Sequence, residues 1–233
     1  MKRIFKRIGM YFFILISLYL IIGNLLHRVI LPEEKPDIST YFKPGQLFYS
    51  KEEGFRQHVI KQEGGLVHAW LEVEPFAPGP VKHIHDTFDE LFEIENGELT
   101  IWVDGEIRKL HPGEKLLIPR GTPHKPYNET ADTIRVRGSF AFPQDFAFGL
   151  VQIYGYMGEH QKLEASLKTL LQISLFRGAG LDSYIADGPP VFLQKCMDYT
   201  FSPLARLIGM KSHYEKYRPK LQYQNIPVTV INQ

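Results

Sequence analysis

The chain has one cysteine, Cys196, among its 233 residues, so no disulfide can form within it and no cysteine nucleophile is on offer. The residue reads as a small buried apolar side chain. Excess charge is missing too: 27 Lys and Arg against 26 Asp and Glu leave a net charge of +1. No run of Lys or Arg interleaved with aromatics crosses the middle of the chain, which argues against direct nucleic-acid binding. A phosphate loop, a Ser-His-Asp signature and an internal repeat are likewise absent, so neither nucleotide chemistry, serine-type acyl transfer nor a duplicated domain is indicated.

Long apolar runs are scarce, with one exception. Residues 8–26 contain no charged side chain. As a helix this stretch reaches about 28 Å, close to the hydrocarbon thickness of a bilayer. Lys2, Arg3, Lys6 and Arg7 precede it, while Glu33 and Glu34 soon follow. That asymmetry places the N-terminus in the cytoplasm and the rest of the chain outside. Gly23-Asn24-Leu25-Leu26-His27 lacks a small-x-small cleavage pattern, so 1–27 reads as an uncleaved single-pass signal anchor. Residues 28–45, with Pro32, Pro36 and Pro44 among charges, read as a stiff linker.

Residues 46–150 carry the period of two that marks strands. Val67, Ala69, Leu71 and Val73 alternate with polar or large neighbours, as do Leu99, Ile101 and Val103 before an Asp104-Gly105 turn, and Ile134 to Phe142. Short strands at regular spacing predict an antiparallel sandwich or barrel. From 151 to 233 the period lengthens. An amphipathic helix is expected over 159–176, a second from Pro189-Pro190 to about Thr200, and a short third capped by Ser202-Pro203. Arg206, Lys211, Lys216, Arg218 and Lys220, with Tyr214 and Tyr217, form a basic cluster that could lie against anionic headgroups, although an ordinary solvated tail has the same composition.

The most informative residues are His83, His85, Glu90 and His124. On a strand, His83 and His85 share a face and can chelate one ion. Glu90 lies in the next expected strand, Phe88 to Glu95, which closes at Asn96-Gly97. His124 follows a Pro119-to-Pro123 turn. Three imidazoles and a carboxylate suit one divalent transition metal ion, Fe(II), Mn(II) or Ni(II), with Zn(II) tolerated, and leave two adjacent positions of an octahedron open for substrate or water.

This arrangement resembles the cupin superfamily. His83, His85, Glu90 and Gly97 keep the spacing of the first cupin motif, and Gly113, Pro119, Gly121, His124 and Asn128 keep every position of the second. The leading glycine departs from the pattern, because Gly79 stands three residues before His83 instead of five. The resemblance implies a mainly β protein, an antiparallel jelly-roll barrel (double-stranded β-helix) over 46–150, here with a C-terminal helical extension and an N-terminal transmembrane helix. It also implies a metal held by the four donors and a homodimer. The function expected is a membrane-anchored metalloprotein acting on a small molecule, such as a dioxygenase; a non-catalytic ligand-binding or sensor domain and a metal-dependent isomerase or decarboxylase stay open. Phe88, Phe92, Trp102, Tyr127 and Phe140 are candidate pocket aromatics, and Arg135 and Arg137 candidate anion clamps. No catalytic base can be named.

Overall fold

In the computed structural model, residues 2–137, 141–160 and 166–221 are described. A long helix, α1 (Lys2–Leu25), continues through a wider turn (Leu26–Ile30). Eleven strands follow: β1 (Gln46–Ser50), β2 (Phe55–Glu63), β3 (Leu66–Val73), β4 (His83–Ile84), β5 (Glu90–Asn96), β6 (Leu99–Val103), β7 (Glu106–Leu110), β8 (Lys115–Ile118), β9 (His124–Tyr127), β10 (Ile134–Val136) and β11 (Ala141–Pro143). Then come α2 (Gln144–His160), α3 (Leu167–Ala179), β12 (Tyr184–Ile185), α4 (Val191–Leu207) and β13 (Lys220–Leu221).

The strands form two antiparallel sheets. One runs β13-β1-β2-β3-β10-β5-β8, with β11 also paired to β3; the other runs β12-β4-β9-β6-β7. Their inner faces share a core in which Leu71 and Val73 of the first sheet meet Leu99 and Ile101 of the second. The alternation in the sequence is the cause, since every second residue of these strands is apolar and faces inward. Asp104 and Gly105 both take positive φ, 46° and 94°, which gives the tight β6–β7 hairpin its turn. Asn96-Gly97 does turn the chain, but it carries it from one sheet to the other instead of closing a hairpin. Gly97 sits so close to Ile134 that a Cβ would lie 3.0 Å from its side chain.

The helices depart further from expectation. The 159–176 stripe is two helices, α2 and α3; Leu163 lies outside the described residues. The second and third expected helices are one, α4 (Val191–Leu207), although Pro203 stands within it. Proline removes the N–H that would bond the Tyr199 carbonyl and crowds that turn. The lost bond is replaced from α1, where Asn24 donates to the Tyr199 carbonyl at 3.2 Å; Tyr19 donates to the next carbonyl, Thr200, at 2.6 Å. A break legible in the local sequence is thus repaired by a partner about 180 residues away.

The 28–45 stretch is no free spacer. Tyr41 and Phe42 are 1% and 3% exposed in a core shared with α2 and β1. Glu33 accepts from the Ser212 N–H and pairs with Arg206.

Candidate metal centre

The four predicted donors converge between the sheets. His83 lies directly opposite His124 on the β4–β9 ladder. His85 follows one residue past the end of β4, and Glu90 opens β5 in the other sheet. Their nearest ligand atoms all lie within 4.8 Å of one another, and the three imidazoles are buried.

Each ring is held by its far nitrogen. The Nδ1 atoms of His83 and His124 lie 3.0 and 2.9 Å from the carbonyls of Val81 and Thr122, and that of His85 meets the Asp182 carbonyl. A carbonyl can only accept, so Nδ1 carries a proton and Nε2 is the nitrogen turned to the centre. His124 Nε2 is 2.7 Å from Glu90 Oε2, while His85 Nε2 is buried without a hydrogen-bond partner. Three Nε2 atoms converging beside a carboxylate, the His85 one unanswered, are the donor set of a divalent cation. The residues therefore fit a metal.

Electrostatics agree. Burial lowers the His83 pKa far enough to keep the ring neutral, as a ligand must be. Burial alone would raise Glu90, but the hydrogen bond from His124 and the nearby His85 ring, 3.5 Å away, outweigh it and hold the carboxyl below its usual range. At His124 burial works downward, and the contact with Glu90 reverses it to a net rise.

Around His83, His85 and Glu90 lies a cavity of about 270 Å³. One wall comes from the sheets, with Phe55, Leu71 and Phe92. The opposite wall comes from α2 and α3, with Phe146, Ile153 and Ile173. The polar exceptions include Glu53, Gln57 and Tyr154. Glu53 bonds Tyr154 and Ser50, and burial lifts its carboxyl pKa to about 7. The Tyr154 phenol, bonded also to Gln57, is pushed well above its ordinary value by burial and by Glu53.

Of the predicted pocket aromatics, Phe92 is a wall residue, and Phe88 stacks on His85 at 4.4 Å behind the cavity. Trp102 and Tyr127 do not reach it. The β6–β9 register pairs Trp102 with Lys125 and Thr100 with Tyr127, one residue out of phase with His124, so both rings are on the outer face. Phe140 lies outside the described residues. Arg135 and Arg137 are also outward: Arg135 covers the Trp70 ring, and Arg137 pairs with Glu93 at 3.2 Å.

Sequence reasoning missed Asp182. Its carboxylate accepts from the N–H groups of Asp86 and Thr87 and from the Thr87 hydroxyl, while its own carbonyl orients His85. No local signal marks a contact spanning 97 residues. Glu53 was missed for the same reason, since it lies in a turn and gains its character from helix α2.

Residues 69–137 match the cupin domain family model, a segment that contains all four donors. The match spans the strands that carry the donors and stops before the C-terminal helices. The chain is similar to the solved structure of KdgF from Halomonas sp., at 22% identity over 38% of this chain and 79% of that one, with a TM-score of 0.34. A cupin-2 domain protein from Shewanella frigidimarina NCIMB 400 is 28% identical over 34% of this chain and 74% of its own, with a TM-score of 0.31. A recombinant oxalate oxidase in complex with glycolate is 21% identical over 45% and 59%, with a TM-score of 0.34. No curated protein matches the chain.

Proposed function

We propose that this chain is a membrane-anchored cupin metalloenzyme that acts on a small, largely apolar molecule carrying an oxygen-bearing group. The observation that carries the reading is the juxtaposition of a four-donor cluster with Glu53, which lines the same mostly apolar cavity as His83, His85 and Glu90. His83, His85, Glu90 and His124 hold one Fe(II), Mn(II), Ni(II) or Zn(II). Such an ion, when bound, supplies a Lewis acid with open positions, and a redox-active one also supports oxidase or dioxygenase chemistry.

The protein's own groups do the rest. Phe92, Phe146 and Ile153 take the apolar body and exclude water, which strengthens every polar contact inside. A carboxyl that titrates near neutrality can take up or return a proton at Glu53, and Tyr154 orients it by hydrogen bonding. A merely ligand-storing domain has no use for such a group, which favours enzyme over sensor. The apolar shaft of α1, residues 8–26, anchors the domain as a single-pass helix with the cupin domain outside the cytoplasm. Among the described residues one helix, Arg3–Ile30, is long and apolar enough to cross a membrane.

Elemental analysis of the full chain, purified in detergent without a His-tag or added metal, tests the central element. About one equivalent of a single transition metal per chain is expected. A folded protein that carries none, and takes up none of the four ions on titration, contradicts it.

A further inference from the structure

Helix α4 presents an apolar stripe that is open except where α1 and its extension meet it: Pro203 is buried against Gly23, and Arg28 lies over the Tyr199 ring. Phe192, Cys196, Tyr199, Pro203 and Leu207 recur every three or four residues and so share one face. Phe192 is 71% and Leu207 81% exposed, with Leu193 and Ile208 beside them at 46% and 59%. The opposite face is the buried one: Gln194, Ser202 and Ala205 turn inward, and Ala205 packs with Leu171 and Leu175 of α3.

Every charged side chain of α4 is drawn back toward the domain. Lys195 pairs with Asp86, Asp198 with Arg177 at 3.4 Å and Arg206 with Glu33 at 3.3 Å. The basic cluster read from the sequence is partly neutralised in the same way. Lys216 binds Glu159, and Arg218 binds Glu215 while covering Tyr41. What faces outward from α4 is therefore apolar surface, with Lys195 only at its edge.

The stripe is also fixed in place against α1. Gly23 meets Pro203 so closely that a Cβ would lie 3.0 Å from the proline Cβ. Asn24 bonds the Tyr199 carbonyl that Pro203 leaves free, and Tyr19 bonds the next one, Thr200. The uncharged run of α1 ends at Leu26. At 1.5 Å per residue, Gly23 and Tyr19 lie roughly 5 and 10 Å inside that end. An amphipathic helix in the plane of a bilayer sits about 5–10 Å deep, at the boundary of headgroups and acyl chains. Between the two helices runs an apolar groove lined by Leu18, Ile22, Leu26, Leu31 and Leu207.

We propose that α4 is a second membrane element, an in-plane helix seated on the lipid at the level where α1 leaves the hydrocarbon, with acyl chains filling the α1–α4 groove. This rests on the reading of α1 as the anchor. It gives the domain a fixed orientation, with α4 toward the bilayer.

Cys196, the sole cysteine and an exposed member of the stripe, allows a direct test. The full chain is labelled there with bimane and reconstituted in vesicles of phosphatidylcholine and phosphatidylglycerol. Quenching by a lipid carrying a nitroxide high on its acyl chain is then compared with quenching by aqueous iodide. A second chain, Cys196→Ser with Ser17→Cys, reports on α1 in the same vesicles. The proposal expects lipid-borne quenching of the Cys196 label at least about twofold above iodide quenching, the mark of an interfacial helix. Iodide quenching at position 196 with lipid quenching at position 17 overturns it while leaving the anchor intact. Protection of position 196 from both quenchers also overturns it, because a second copy then covers the stripe. Failure of lipid quenching at position 17 defeats the anchor and the in-plane helix together.

Discussion

At the residue scale, the metal donors were legible because their spacing is local. A His-x-His pair on a period-two backbone shares a face whatever surrounds it. Trp102 and Tyr127 were misplaced because aromatic identity does not tell which face of a strand a ring occupies; only register against Lys125 and Thr100 does. Asp182 was illegible because its partners lie nearly a hundred residues upstream. Asp182→Ala should lower metal affinity by about 10–100-fold while leaving one site per chain, since it removes the clamp on residues 86–87 beside His85 and no donor. Isothermal titration of the metal-stripped protein checks this, and an unchanged affinity would remove Asp182 from the site's support. Glu53 leads to a pH effect. Its folded pKa of about 7 lies above the model-compound value of 4.5, so the folded state binds the proton more tightly. The resulting stabilisation is complete below about pH 4.5 and is lost as pH rises through about 7. Glu53→Gln should flatten stability against pH across that window relative to wild type. Parallel curves for the two proteins in denaturant titrations would show that the carboxyl is not buried in this way.

At the scale of elements, strands were read more faithfully than helices. Alternation over 67–73 and 99–103 marks buried faces directly, and β3 and β6 formed where it occurs. Pro203 was read as the start of a new helix, and that is what its missing N–H ordinarily means. The helix persists because Asn24 occupies the freed Tyr199 carbonyl and Tyr19 the next one. Asn24→Leu should therefore loosen α4 around Tyr199, seen as faster amide exchange over 199–204 and unchanged exchange in the sheets. Proline-rich composition in 28–45 suggested a spacer, but composition does not reveal that Tyr41 and Phe42 enter the core. Tyr41→Ala should cost roughly 3–5 kcal/mol in a denaturant melt, the usual effect of emptying a buried aromatic site. A change below about 1 kcal/mol would restore the spacer reading.

At the scale of the whole molecule, the C-terminal helices are part of the site and not an appendage. α2 and α3 form one wall of the cavity, the loop after α3 holds His85, and α4 carries the contacts to α1. The four donors, the cavity and the N-terminal helix thus belong to one continuous structure. The most direct measurement of that account is metal content in a matched series of variants. His85→Ala and His124→Ala each remove a donor whose Nε2 faces the centre, and should reduce metal affinity by more than the roughly 10–100-fold expected of an outer partner. Glu90→Gln keeps an oxygen donor and should be milder. His111 is exposed and bonded to Glu98 and Glu114 far from the donors' ladder, so His111→Ala should retain a full equivalent. Loss of metal in His111→Ala with retention in His124→Ala would contradict the site.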